Sequence, residues 1–284
     1  MGGVVDWLVD PFSQGIGLRA LIEIVILGAA CAPFGVWIVL YRQSYAAESV
    51  AHSMLPGLVV ATLIGAPLGL GAAAGLAVAA VLISVAGRQH SVSADTAIAV
   101  VVTTLFGLGT LLALSPEVPV RLGDLLFGNP LSVSAGDIVA SAGLALVLIG
   151  AMAAGHRALS VVGFDPRIAP ALGFRPGAVS LAVLGLLALT TLIAVGSLGN
   201  LLVVAIVIAP AAAALRLTRR LVPALLAAGA LGVAAGVAGL YVSFYADLAA
   251  GASIALCAVA AFGLALLLSL HPIRTRTYVR YASP

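Results

Sequence analysis

Lysine is missing from the 284 residues: all 13 basic side chains are arginine. A phosphate-binding loop of the Gly-x-x-x-x-Gly-Lys type needs its lysine, so the chain is not by itself a conventional ATPase of that class. Charge of either sign is scarce, 8% of residues against 63% hydrophobic, which excludes an ordinary water-soluble domain and predicts many membrane spans. Cysteine occurs only as Cys31 and Cys257, far apart in apolar runs and without Cys-x-x-Cys or Cys/His spacing. Both read as small buried hydrophobes, and neither a disulfide framework nor a redox role is indicated. The opening residues carry Asp6, Asp10 and Pro11 and no basic stretch, so they do not form a cleavable signal, and insertion is expected to use the first span.

Crossing a hydrocarbon core about 30 Å thick takes roughly 17–25 residues. Dividing the chain at charges, prolines and glycine clusters gives nine spans, near 18–41, 49–66, 68–86, 95–114, 137–154, 178–195, 198–215, 222–240 and 252–270. The whole of 1–284 therefore reads as one all-α, polytopic membrane domain. Gly65-Ala66-Pro67 joins the second and third spans as a tight hairpin. With the N-terminus outside, the inner loops hold Arg42, Arg88, Arg157, Arg167, Arg175, Arg216, Arg219 and Arg220, and the tail adds Arg274, Arg276 and Arg280; only Arg19 and Arg121 fall outside. Eleven against two is the asymmetry of the positive-inside rule, which gives N-out, C-in and an odd number of spans. The net charge of +3 follows from this topology and calls for no nucleic-acid partner.

Two connections are long. The inner one, 156–177, contains Gly163-Phe-Asp-Pro166 and then Arg167-Ile-Ala-Pro-Ala-Leu-Gly173. Asp165 can cap a short helix begun by Pro166, which makes a docking knob, or the segment is an ordinary solvated loop. The outer one, 115–136, contains Leu125-Leu-Phe-Gly-Asn-Pro130 and is too apolar for a free linker; it is expected to lie along the membrane face or against another protein.

Glu48-Ser-Val-Ala-His52, followed by Met54-Leu55-Pro56-Gly57, sets a carboxylate and an imidazole four residues apart, on one face of a helix. Such groups are costly in lipid and usually face a protein interior, a partner or a hydrated path. The alternatives are a hydrogen-bonded packing histidine and a first-turn glutamate favoured by the helix dipole. Asp95, preceded by Ser91-Val-Ser93, reads as an N-terminal cap; Glu23 reads as snorkelling from the outer end of the first span; Gly229, Gly232, Gly236 and Gly239 read as close helix packing.

The order of these motifs resembles the permease subunits of the zinc and manganese ABC importers, over nearly the whole chain. The family's Asp-x-x-Ser-His-x-x-Leu-Pro-Gly stands here as Glu48 to Gly57, its Asp-Thr-Ala-Ile as Asp95 to Ile98, its Leu-Phe-Gly-Asn as Leu126 to Asn129, and its Phe-Asp-Pro-x-x-Ala-x-x-x-Gly as Phe164-Asp165-Pro166 with Ala169 and Gly173. Ile208-Ala-Pro210, Arg216, Thr218-Arg-Arg220 and Ser243-Phe-Tyr245-Ala-Asp247-Leu-Ala-Ala-Gly251 continue the order. The resemblance implies a type II importer-like permease in a bacterial cell membrane, not itself an enzyme. It also implies a symmetric pair with a second permease copy, two ATP-binding cassette subunits that carry the ATP, and an extracytoplasmic metal-binding protein. Phe164, Asp165, Pro166, Ala169 and Gly173 would then lie in the ATPase-coupling helix. Two departures stand out: Glu48 replaces the family's aspartate and Ala51 its serine, which changes both reach and hydrogen bonding near His52.

The chemistry of the donors points the same way. A dication in a low-dielectric passage needs its charge offset, and Glu48, His52 and Asp247 can supply two carboxylates and a neutral imidazole. That set suits zinc well and manganese acceptably, so the expected cargo is zinc or manganese with the lean toward zinc, whereas magnesium or calcium would use oxygen ligands alone. The metal is cargo, and no permanently bound cofactor is expected. Asp247 fits less comfortably: a straight helix from Val222 carries it roughly 38 Å, past the outer boundary, unless 241–251 turns back into the protein. Two other functions stay open: the same architecture carrying a metal chelate, and an intramembrane metalloenzyme, for which Glu48-x-x-x-His52 lacks the second helix histidine of His-Glu-x-x-His.

Overall fold

The computed structural model of the chain describes residues 9–13, 15–86, 94–116, 130–198 and 200–270. Ten α-helices account for most of them, and no strand occurs among the described residues. They are α1 Gly15–Leu40, α2 Ser44–Ser53, α3 Leu55–Ile64, α4 Leu68–Ala86, α5 Ala94–Ala113, α6 Ala135–Phe164, α7 Pro176–Leu198, α8 Asn200–Leu217, α9 Leu221–Ala246 and α10 Ala250–Leu270. Helices dominate because a chain in lipid must satisfy every backbone N–H and C=O within the segment itself. Six segments are long and apolar enough to cross a membrane, with α2 and α3 counted as one, and three shorter apolar helices, Leu68–Ile83, Ile98–Ala113 and Leu202–Leu217, fall on three of the other spans expected from sequence. The molecule is an all-α polytopic membrane protein.

Helix α1 is the axis of the assembly. It packs against α9, α8 and α6, while α10 fills the angle between α8 and α9. Its side chains Ile24, Leu27, Phe34, Trp37 and Ile38 are all 0–1% exposed. Apolar burial alone does not hold helices together in lipid, which is as apolar as leucine, so close contact of small residues carries the association. Along the α1–α9 crossing Gly28 meets the backbone of Gly232, Gly236 receives the Ile24 side chain, and Gly229 receives Pro33; Gly239 meets Ile254 of α10. The four glycines of α9 thus pack in the way their spacing predicts. A second group, α3, α4 and α5, is knitted by Gly57 on α3 against Gly71 and Gly75 on α4 and by Gly109 on α5 against Leu55 and Pro56. Between the two groups runs α2, in contact with α5, α7 and α8.

Several boundaries differ from the sequence reading. The second span begins at Ser44 and is broken at Met54. Pro56 has no N–H to give to the carbonyl of His52 four residues earlier, so the helical ladder is interrupted there. Helix α6 runs 30 residues to Phe164, ten beyond the expected end, so His156 and Arg157 are helical and the connection before α7 is only 165–175. A helix of that length spans roughly 45 Å and projects beyond a hydrocarbon core of about 30 Å. The chain also stays helical to Ala246, so 241–251 does not fold back; it makes a tight turn into α10. The hairpin at Gly65 is formed as expected, with Gly65 left-handed at φ 67°. Cys31 is buried and Cys257 half-buried, both free. The outer motif Leu126 to Asn129, together with Arg88, Arg121 and the arginines of the tail, lies outside the described residues. Asp95 is the second residue of α5 rather than its cap position, and its side chain is likewise outside them.

Candidate metal site and coupling segment

The Glu48–His52 pair sits in the second half of α2. Because α2 starts at Ser44, Glu48 is past the first turn, which removes the alternative that the N-terminal dipole stabilises it. His52 instead occupies the last turn, where the unpaired carbonyls of the helix end favour a cation. The two side chains approach with His52 Nε2 3.7 Å from Glu48 Oε1. A cation bonded to both at the usual zinc distances would subtend an angle of about 125°, so closing the gap by roughly 0.3 Å gives a tetrahedral pair of ligands. Side-chain exposures are 17% for His52 and 57% for Glu48, so the imidazole lies under the surface and the carboxylate at its mouth. The imidazole ring rests edge-on against Phe106 of α5, with centroids 4.7 Å apart. His52 Nδ1 is buried without a hydrogen-bond partner among the described residues. Ala51, fully buried beside it, has no hydroxyl to offer.

Asp247 is elsewhere. It caps α9 in a left-handed conformation, φ 51°, is exposed, and lines a cavity of about 300 Å³ with Pro11, Phe12, Ser243 and Phe244. Among the described residues no three His, Cys, Asp or Glu side chains gather in a group that could hold a metal. Within one copy, then, Glu48 and His52 come together and Asp247 does not join them.

Each family-like position of the 164–173 segment has a structural reason. Asp165 Oδ1 accepts the N–H of Arg167 at 3.0 Å and of Ile168 at 3.2 Å, capping the turn that follows Pro166. Ala169 is fully buried and anchors the short 3-10 helix Ala169–Leu172. Gly173 ends it at φ 83°, a conformation that suits glycine, and the N–H of Phe174 returns to the carbonyl of Ala169. Phe164, Ile168 and Leu172, four residues apart, are each 51–53% exposed. A capped knob thus presents three apolar side chains at the end of the bundle.

Glu23 overturns a sequence expectation. It does not snorkel: it is 0% exposed in the middle of the core, and Ser141 Oγ of α6 donates a 2.6 Å hydrogen bond to its Oε1. A carboxyl at that depth is retained only where it is hydrogen-bonded, so the pair ties α1 to α6. Ser141 and Phe106 were not legible as site residues, since a lone serine or phenylalanine in an apolar helix carries no pattern.

Comparison with known proteins agrees with the architecture. Residues 14–269 match the model of the ABC 3 transport family. The manganese transport system membrane protein MntC of Halalkalibacterium halodurans is 34% identical over 252 residues, covering 88% of this chain and 86% of that one. The chelated iron transport system membrane protein YfeD of Yersinia pestis is 28% identical, covering 94% and 90%. Among solved structures, PsaBC from Streptococcus pneumoniae in complex with Fab superposes with a TM-score of 0.83 at 26% identity, covering 93% of this chain and 95% of that one. A broken second span with its acid–imidazole pair, a capped knob before α7 and a match across 14–269 converge on one conclusion: the chain is a membrane permease that belongs to the ABC 3 transport family.

Proposed function

We propose that this permease moves a divalent transition metal ion across the bacterial cell membrane by alternating access, with Glu48 and His52 as its ligands on the path. The observation that carries this reading is the pair itself: a carboxylate and an imidazole 3.7 Å apart beside a helix break. A transport site has to release its ion, and two protein ligands in one copy, one of them half in the open, suit transient binding better than a closed structural site. Asp247, at the opposite end of α9 from Arg220, is proposed as the carboxylate of the outer mouth under the N-out, C-in orientation. The 57% exposed Glu48 calls for cover within a membrane, which supports a second permease copy beside it. The apolar knob of Phe164, Ile168 and Leu172, held by Asp165, Pro166, Ala169 and Gly173, supports docking of the separate ATP-binding cassette subunits, with an extracytoplasmic metal-binding protein delivering the ion. The permease itself performs no catalysis in this scheme.

The donors accept zinc or manganese, and the relatives named for manganese weigh toward manganese. The relative named for chelated iron favours a second reading, a chelate cargo. The test is ATP-driven uptake of manganese, zinc and ferrous ions, and of an iron chelate, into vesicles containing the assembled complex. His52→Ala is expected to abolish uptake of one free ion while ATPase assembly is retained. Undiminished uptake of every free ion would return His52 to packing, and uptake of the chelate alone would establish the second reading.

A further inference from the structure

The knob-bearing end of the bundle holds a cavity of about 630 Å³ between the end of α1, the end of α6 and the start of α7. Its walls divide by chemistry. Leu40, Val162 and Phe164 give an apolar side, and Arg42, Arg167 and Ser180 a polar one. Tyr41 builds the partition: its hydroxyl donates to the Leu159 carbonyl at 3.0 Å, and its ring covers Gly163, where an added Cβ would come 3.1 Å from Cε2.

Arg42 stands at this site in an uncommon conformation. Helix α1 ends in a Schellman motif, with Gln43 N–H bonded to the Ile38 carbonyl at 2.9 Å and Arg42 N–H to Val39 at 3.0 Å. The residue after such a helix end is left-handed and usually glycine; here it is Arg42 at φ 57°. A side chain held in a strained backbone position points to a use for that side chain. Neither Arg42 nor Arg167 forms a salt bridge among the described residues. The acid nearest to Arg167 in sequence, Asp165, accepts the backbone N–H groups of Arg167 and Ile168.

From this we infer that the cavity binds an anionic phospholipid, its phosphate held by Arg42 and Arg167 and its acyl region laid along Leu40, Val162 and Phe164. Two guanidiniums without an acid partner among the described residues, beside an apolar wall at the knob-bearing end of the bundle, match an amphipathic anion better than a free one. The site is independent of which metal is carried. It sits against the proposed coupling segment, so its occupant would brace the segment's first turn against α1.

The test uses the purified full-length chain in detergent, with dioleoyl phosphatidylglycerol, dioleoyl phosphatidylcholine or inorganic phosphate added. Lipid retention is read by native mass spectrometry and stability by thermal midpoint. Phosphatidylglycerol is expected to be retained in preference to phosphatidylcholine and to raise the midpoint. Each phosphate-facing arginine near a membrane surface contributes about 1 kcal/mol, so Arg42→Gly with Arg167→Gln weakens retention roughly 25-fold. Arg42→Gly alone keeps the fold, since glycine relieves the left-handed strain, and its lipid-free midpoint is at least that of the native chain. Arg175→Gln, at the same end but outside the cavity, leaves retention unchanged. Equal retention of the two lipids, an equal loss with Arg175→Gln, or the same stabilisation by inorganic phosphate would each overturn the assignment. So would unchanged retention of phosphatidylglycerol in the double variant.

Discussion

Gly232→Ala is expected to destabilise the permease, and Gly263→Ala to leave it unharmed or improve it, although both place one methyl on a glycine of an apolar helix. At Gly232 the new Cβ would lie 2.7 Å from the Ala32 Cβ and 2.8 Å from the Gly28 carbonyl oxygen. Neither neighbour is the end of a flexible side chain, so α1 and α9 must move apart by about 0.6 Å to reach ordinary contact. A gap of that size forfeits a quarter or more of the dispersion energy of the contacts it opens. In a bundle joined by close backbone contact the cost is about 1–3 kcal/mol. At Gly263 nothing lies within 4 Å, so the methyl adds only helix propensity, worth about 0.5–1 kcal/mol in favour of alanine. The assay is thermal inactivation of the purified full chain in one detergent, both variants and the native protein side by side, with the Gly263→Ala, native, Gly232→Ala order expected from most to least stable. A Gly232→Ala chain as stable as native would show that the α1–α9 crossing is not the tight contact described, and the packing argument would fall with it.

Other consequences follow from single contacts. Ser141→Ala leaves the Glu23 carboxyl short of its 2.6 Å donor and is expected to cost about 1–3 kcal/mol, whereas Glu23→Gln keeps a hydrogen-bonding side chain and costs less; equal losses in a denaturation series would refute the pairing. Asp165→Ala removes the acceptor of two backbone N–H groups and is expected to cost about 1 kcal/mol locally, read as faster amide exchange across 167–172, with Asp165→Asn retaining most of the protection. Pro56→Ala restores a donor to the His52 carbonyl, so it should make the second span more protected from exchange and slow metal uptake; unchanged uptake with the span more protected would mean that the break has no part in the cycle.

What the sequence by itself determined was the membrane class, the order of the apolar helices and the elements whose signals are local. Hydropathy runs, the αL glycine at Gly65, the glycine spacing of α9 and the Asp165 cap depend on residues within a few positions of each other, and all are present in the fold. So too was the Glu48–His52 pair, because i and i+4 meet on any helix. Tertiary structure decided the rest. It buried Glu23 against Ser141, 118 positions away, where the sequence placed the acid at an interface. It set Phe106 against His52, extended α6 past a polar Gly-His-Arg that reads as a loop start, and left Asp247 at the end of α9 and outside the pair. The physical reason is common to these cases: an ionisable or polar side chain in an apolar helix has no preferred depth of its own. Its depth and partners are fixed by which neighbouring helix brings a donor, a ring or an empty face, and that is settled only when the bundle packs.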